Sequence, residues 1–374
     1  MNTTMRAAVY YGKRDVRFED VPVPTPGPGE LLIRVTSVGI CGTDAHEFDS
    51  GPHVFPGSEP HRSSGQSSPM IMGHEIAGRV AAVGDGVDGF ALEELVVSGA
   101  GISCDICVQC KRGRTNLCEN YWTIGLQRDG GLAEYVVCPA SVCFSVEPYG
   151  LSEDLAGLAQ PTAIAVHAAD RARLTSDDQV VVMGAGGIGA FLIRAVADLA
   201  SKVGVLDLNE ERLKIAGKNG ATYTKLVSDS FDIEETKKAW DIRPTVIFEV
   251  SGTQAGFDAA RKWLEPGGRL VLVGIQHGSD DFDFRSLSLI EHEVIGTNAH
   301  VVVTDFPRAL KLLGEGGAWQ EIAPEILPLE EVVEFGLLPM VERRAERIKT
   351  LIDPRVATRR ATNMKSLPAG SPRP

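Results

Sequence analysis

Positive charge is scarce in this 374-residue sequence: 37 Lys and Arg stand against 50 Asp and Glu, for a formal net charge of -13. A chain this acidic has no general attraction for phosphate backbones or anionic lipid, which argues against nucleic-acid and membrane-surface roles. Long apolar runs are missing as well. No stretch approaches the ~20 apolar residues of a membrane span, and residues 1–9 hold no basic segment leading into an apolar one, so no secretory signal is read there. The protein is therefore expected in the cytoplasm, without membrane or nucleic-acid partners. Low-complexity tracts and repeats of fixed period are also lacking, which sets aside fibrous and solenoid architectures.

What is there describes a globular α/β chain. The length suits two domains of roughly 150 to 200 residues, with a cleft between them as the natural place for chemistry. The first part reads as β-rich, with short apolar or alternating runs at 31–38, 76–83 and 132–137 separated by Gly and Pro turns. From about Pro161 the pattern changes to buried strands alternating with helical segments: 179–183, a helix after Gly189, 203–207, 246–250 and 269–274. That alternation is the rhythm of a doubly wound parallel sheet. Beyond Val302, residues 305–314 read as a helix and 348–352 as a strand that rejoins the first domain. The stretch from Asp353 onward carries Arg, Lys, Pro, Ser and Gly with few large apolar residues, and a loosely ordered tail over 355–374 is expected.

Two motifs carry chemistry on their spacing. Val180–Met183 runs into Gly184-Ala185-Gly186-Gly187-Ile188-Gly189 and then a helix, the glycine fingerprint of a dinucleotide site. Gly184 makes the tight turn, Gly186 admits the pyrophosphate to the backbone, and Gly189 lets helix and strand pack closely, with the helix N-terminus facing the phosphates. Asp207 follows at the end of the next strand, placed to accept from the adenosine ribose and to repel a 2′-phosphate; Leu208 supplies no cation in its stead. NAD is favoured over NADP. The second motif is a crowd of cysteines, Cys104, Cys107, Cys110 and Cys118, out of seven in the chain. In a reducing compartment this C-x-x-C-x-x-C run closed by a fourth cysteine reads as a closed tetrahedral zinc cage with a structural role. An iron–sulfur cluster also uses such runs, but the proline that flanks that signature is missing. Cys138 and Cys143 read as ordinary strand cysteines.

A weaker constellation lies upstream. Gly39-Ile40-Cys41-Gly42-Thr43-Asp44-Ala45-His46 and Gly73-His74-Glu75 put a thiolate, an imidazole and a carboxylate in the β-rich region, a donor set suited to zinc with an open position. By spacing alone, core or surface residues explain them as well as ligands do.

Together these residues resemble the zinc-containing medium-chain dehydrogenases, the group of alcohol, sorbitol, threonine and butanediol dehydrogenases. The resemblance spans about residues 5–353. It rests on 39–46, Gly73-His74-Glu75, the four-cysteine lobe, residues 129–135 (DGGLAEY), the glycine motif, Glu249-Val250-Ser251-Gly252 and Gly267-Gly268-Arg269-Leu270. It implies a β-rich GroES-like catalytic domain from 1–161 and 303–354, and a Rossmann NAD-binding domain from 162–302. Cys41 and His74 are then catalytic zinc ligands, with Glu75 beside them binding directly or through water. Asp44 orients His74. Thr43 takes the alcohol proton and passes it through the nicotinamide ribose to His46, whose imidazole suits a relay.

Within the group, the proline-rich, histidine-containing stretch from His46 to Gly73 is most similar to 2,3-butanediol dehydrogenases; a surface loop that merely tolerates insertion is the alternative. The expected activity is hydride transfer between NAD and a small secondary alcohol or vicinal diol, or the ketone in reverse. The rivals are a polyol or amino-alcohol dehydrogenase and a repurposed dinucleotide-binding protein with structural zinc only. Two departures stand out. Gln160 occupies a position where many relatives carry a zinc-associated glutamate, and residues 90–96 replace a Gly-Asp-Arg-Val turn. The resemblance also implies a homodimer or homotetramer built through the edge of the nucleotide-binding sheet, with strand 269–274 near that edge.

Overall fold

Strand Glu30–Ile40 buries nearly every side chain on both of its faces, which is why it reads as an almost continuous apolar run rather than an alternating one. In the computed structural model, which describes residues 3–228, 232–275 and 284–366, this strand organises the first of two units, Met1–Gln160 with Val301–Pro374. One long side pairs antiparallel with Glu75–Val83. The opposite side pairs with Tyr135–Pro139 at one end and Thr350–Ile352 at the other. The sheet continues beyond Thr350–Ile352 through Glu325–Leu327 to Arg360–Ala361. Its core includes Leu31, Ile33, Val38, Ile40, Ile76 and Val80, none more than 2% exposed. Each such side chain contributes about 1.5–3 kcal/mol on burial.

Register matters more than layout for the site. Gly39 faces Glu75 across one pair and Leu351 across the other, and Ile40 faces Thr350. Cys41 and the helix Gly42–Ser50 that follows, the His74-Glu75 pair and Lys349 are therefore drawn to one place from sequence positions about 300 residues apart. The close approach at this point excludes a side chain on Gly39, since a Cβ there would stand 1.9 Å from Glu75 Oε2.

The second unit is Pro161–His300. Its described strands form one parallel sheet in the order Tyr223–Leu226, Lys202–Asp207, Gln179–Met183, Val246–Glu249, Arg269–Leu272, Glu293–Gly296. The order reverses between Gln179–Met183 and Val246–Glu249, the switch point of a doubly wound sheet and the place where such sheets bind ligands. Val180, Val181 and Val182 are fully buried, as central strands covered on both faces require. Arg269–Leu272 lies one strand in from the edge, which is Glu293–Gly296.

Two expectations shift. The run at 132–137 becomes a strand only from Tyr135, because Leu132 gives its carbonyl to Ala8 N–H and Ala133 bridges to Ala7 instead. The tail expected to be loose is anchored over residues 355–366. Arg360 forks onto Asp154, itself 3% exposed, through bonds of 2.7 and 2.8 Å, while Asn363 N–H donates to the same carboxylate at 2.7 Å. A composition poor in apolar residues suggests looseness, but a buried carboxylate 206 residues away makes Arg360 an anchor. Residues 367–374 lie outside the described residues. Among the described residues, no helix is long and apolar enough to cross a membrane.

Candidate active site

Helix Gly42–Ser50 begins by capping itself: Cys41 N–H donates to Asp44 Oδ2 at 2.9 Å, which fixes Cys41 at the mouth of the first turn. Asp44 is fully buried, and its other oxygen lies 3.4 Å from His74 Nδ1. At that distance they are an ion-pair contact, and neither Asp44 Oδ1 nor His74 Nδ1 has a hydrogen-bond partner among the described residues. Cys41, His74 and Glu75 offer a sulfur, a nitrogen and an oxygen that all lie within 4.8 Å of one another. Thr43 Oγ1 stands 3.9 Å from Cys41 Sγ.

The electrostatics of this group call for a cation. Burial opposes a charge on His74, yet the Asp44 carboxylate and then the Cys41 sulfur more than offset it and hold the imidazole well above its ordinary value. Glu75 is 1% exposed, and its Oε2 is buried without a hydrogen-bond partner. An acceptor left open beside a thiol and an imidazole, in a pocket that favours positive charge, fits a divalent zinc ion. Gln160 is 6% exposed near the start of helix Ala159–Ala172, with its Oε1 likewise buried and unpartnered.

The cysteine lobe is a second donor set. Cys104, Cys107, Cys110 and Cys118 bring four sulfurs within 4.8 Å of one another, with Sγ–Sγ distances of 3.5 Å for Cys107–Cys110 and 3.4 Å for Cys104–Cys118. Backbone N–H groups of Ile106 and Cys107 pull Cys104 down to about 6, while burial pushes Cys110 up to about 12. Donors from the backbone stabilise thiolate, and crowding opposes several thiolates at once, so a metal ion would relieve the conflict. Cys138 and Cys143 are buried in or beside strands away from this lobe.

In the second unit the glycine turn has the form that phosphate binding needs. Gly184 adopts φ of +107°, which L side chains rarely tolerate, and a Cβ on Gly189 would meet Gly184 O at 1.9 Å. Gly187 has open space on its Cβ side, and the helix Gly189–Ala197 starts without a side-chain cap at Ile188. Asp207 is fixed by two N–H donors, Ala185 at 2.6 Å and Asn209 at 2.8 Å. The glycine turn and the Asp207 carboxylate are thereby locked to each other.

Two residues escape sequence reasoning, and a third, His53, is read only as part of the stretch after His46. Lys349 is 4% exposed; its Nζ donates to Glu75 Oε1 at 2.6 Å and to Ile40 O at 3.0 Å. Burial works against its charge, but Glu75 and then Cys41 hold its pKa up. A lone lysine inside the apolar stretch 348–352 was the available signal. Arg212 Nη1 lies 3.5 Å from where a Gly186 side chain would begin, and its Nε is buried without a partner; no spacing rule marks it. His53 stacks on His46 with ring centroids 4.3 Å apart.

Residues 27–148 match the family described as alcohol dehydrogenase GroES-like domain, and residues 187–315 the one described as zinc-binding dehydrogenase. The chain is 32% identical over 355 residues to (R,R)-butanediol dehydrogenase of Neisseria gonorrhoeae, covering 94% of this chain and 99% of the relative. It is 30% identical to sorbitol dehydrogenase of Bacillus subtilis, over 83% of this chain and 86% of that one. Among solved structures, 2R,3R-butanediol dehydrogenase from Bacillus subtilis superposes with a TM-score of 0.85 at 28% identity, over 94% of this chain and 99% of that one.

Proposed function

The chain belongs to the zinc-containing medium-chain alcohol dehydrogenase family, and we infer from that membership that it oxidises a small secondary alcohol or vicinal diol, of the 2,3-butanediol kind, with NAD. The observation that carries the reading is the gathering of Cys41, His74 and Glu75 within 4.8 Å, with the Thr43 hydroxyl beside them. Zinc held there supplies a Lewis acid that lowers the pKa of the alcohol hydroxyl, and NAD supplies the hydride acceptor. Each residue then has a task of its own. Asp44 orients His74. Thr43 Oγ1 accepts the hydroxyl proton, and His46, exposed on the next turn of the same helix, releases it to water. Gly184 to Gly189, with Gly186, Gly187 and Ile188 between, receive the pyrophosphate, and Asp207 takes the adenosine ribose. Cys104, Cys107, Cys110 and Cys118 hold a second, structural zinc.

The diol preference draws on the (R,R)-butanediol dehydrogenase relatives and on the inserted loop after His46. A polyol or amino alcohol is the rival substrate, on the sorbitol and L-threonine 3-dehydrogenase relatives. Purified protein assayed for NAD reduction with 2,3-butanediol, sorbitol and threonine, with zinc counted per chain, tests both levels. The diol is expected to give the highest kcat/KM with two zinc ions per chain, and Cys41→Ser to lose one ion and at least about a thousandfold in kcat. Turnover unaffected by Cys41→Ser would remove Cys41 from the chemistry; one ion in the parent protein and no turnover would favour a dinucleotide-binding protein that lacks the catalytic zinc.

A further inference from the structure

Lys349 reaches across the end of strand Glu30–Ile40. Its backbone leads into Thr350–Ile352 on one side of that strand, while Glu75 opens Glu75–Val83 on the other. The side chain crosses between them, with Nζ donating to Ile40 O at 3.0 Å and to Glu75 Oε1 at 2.6 Å. Both side chains of this ion pair are sealed from solvent, at 3% and 0% exposure. Hydride and proton transfer call for no ammonium here. Yet this one sits on a carboxylate of the metal-binding set and on the carbonyl next to Cys41, another member of it.

Burial works against a charge on Lys349; Glu75, then Cys41, with Asp44 adding to them, sustain it. Two of those three groups belong to the donors gathered within 4.8 Å. What stabilises the ammonium therefore also attracts a divalent ion, and the two cations compete for the same anions. The competition centres on Glu75. Lys349 engages one of its oxygens, and the other is buried without a hydrogen-bond partner. A carboxylate that keeps a charge-assisted bond of 2.6 Å gives less of its charge to a second cation, and away from water the two cations repel with little screening.

We propose that Lys349 is a positioning residue that makes Glu75 the releasable ligand of the set: by sharing the carboxylate, its ammonium loosens the hold of Glu75 on a bound metal and leaves Cys41 and His74 as the firm donors. The proposal rests on the reading of Cys41, His74 and Glu75 as a zinc site and ranks the three. Lys349 forms and breaks no covalent bond. A lysine that merely braced Glu75 would have the opposite effect, because carboxylate ligands fixed by hydrogen bonds hold metal better, by about ten- to a hundredfold. The sign of the change when the charge is removed separates the two roles.

Three replacements divide charge from support. Lys349→Arg keeps the cation, Lys349→Gln keeps a donor for Glu75 without the charge, and Lys349→Met removes both. In the last two the buried Glu75 carboxylate has no counter-charge until metal arrives, so their metal-free forms lose stability that zinc restores.

The test is the zinc affinity of the full-length chain, filled in its cysteine lobe and titrated at the second site against a chromophoric chelator, beside crystal structures of the zinc-loaded proteins. Lys349→Gln and Lys349→Met should bind the second zinc about tenfold or more tightly than the parent, and Lys349→Arg should stay near the parent. In the crystals Glu75 should bond the ion at about 2.0–2.2 Å in Lys349→Gln and at a longer distance in the parent. Zinc binding that is weaker or unchanged in the charge-free variants, or equally tightened in Lys349→Arg, would overturn the proposal. If neither charge-free variant folds, the parent crystal decides, since Glu75 already bonded at the short distance there removes the competition. A parent that takes up zinc only in the cysteine lobe would sink the functional reading instead; a second ion gained by Lys349→Gln would then still uphold the competition, and none gained would end it.

Discussion

A carboxylate at the end of a strand has one property that decides which dinucleotide it accepts: it attracts hydroxyls and repels phosphate. Asp207 is held by Ala185 and Asn209 N–H, so it cannot swing away from a 2′-phosphate, and Leu208, 77% exposed, offers that phosphate nothing. Arg212 complicates this balance, because its guanidinium reaches over Gly186 from the next helix. Removing the carboxylate while keeping the cation should therefore turn preference around. Asp207→Ser is expected to raise the Kd for NAD about tenfold, the worth of a charge-assisted hydrogen bond, and to lower that for NADP. Arg212→Ala added to it should cancel the NADP gain. Fluorescence titration with both dinucleotides measures this; an unchanged ratio of the two Kd values in Asp207→Ser would show that Asp207 does not read the ribose.

Residues of this kind divide by how far their partners lie in sequence. Cys41, Thr43, Asp44 and His46 sit within one turn-and-a-half of helix, and His74-Glu75 or the cysteine run are local signatures, so they could be picked out as candidates, and the structure brings Cys41 to His74 and Glu75 and gathers the four cysteines. Lys349 and Arg212 acquire theirs only through register and packing. Nothing in the neighbourhood of Lys349 says that Ile40 and Glu75 will stand opposite it. Gln160 marks a different limit: its departure from the family pattern was visible, but its buried, unpartnered Oε1 was not.

At the scale of elements, periodicity located the four central strands of the nucleotide-binding unit and its doubly wound character, because parallel central strands announce themselves as short β-branched apolar runs, but it missed the two edge strands Tyr223–Leu226 and Glu293–Gly296, which are largely exposed and carry no such run. It failed for Arg360–Ala361, which has no apolar pattern at all and pairs with Glu325–Leu327 at the margin of the sheet. That short strand is held by charge. Asp154 is nearly inaccessible and keeps three donors, two from Arg360 and one from Asn363. Arg360 is partly exposed, so solvent moderates the pair. Arg360→Met should nonetheless destabilise the first unit by about 2 kcal/mol, because the buried carboxylate loses its fork. The loss should shrink in Arg360→Met/Asp154→Asn, where no buried charge is left behind. Denaturant unfolding of the single and double variants checks this. Equal stability of Arg360→Met and the parent would show that the tail is not anchored through Asp154.

For the molecule as a whole, the two donor sets make different demands on a metal, and this predicts the order in which metal leaves. The set at Cys41, His74 and Glu75 offers three protein donors, which leaves one position of a four-coordinate ion open to a competing ligand. The four-sulfur set is complete, and the lobe around it has little apolar core: Ile106 and Val108 are 74% and 56% exposed, and of its four cysteines only Cys118 is buried. Its fold therefore depends on the ion in a way that the sheet around Glu30–Ile40 does not. Titration with a mild chelator is expected to remove one zinc per chain first, abolishing NAD reduction while the thermal midpoint moves by no more than a few degrees. A stronger chelator, or a fall in pH that protonates the thiols, should remove the second and open residues 104–118 to protease. Zinc content, activity and proteolysis followed on the same samples measure the sequence of events. Simultaneous loss of both ions, or cleavage of the lobe before activity falls, would mean that the two sites are not divided between chemistry and structure as their donors suggest.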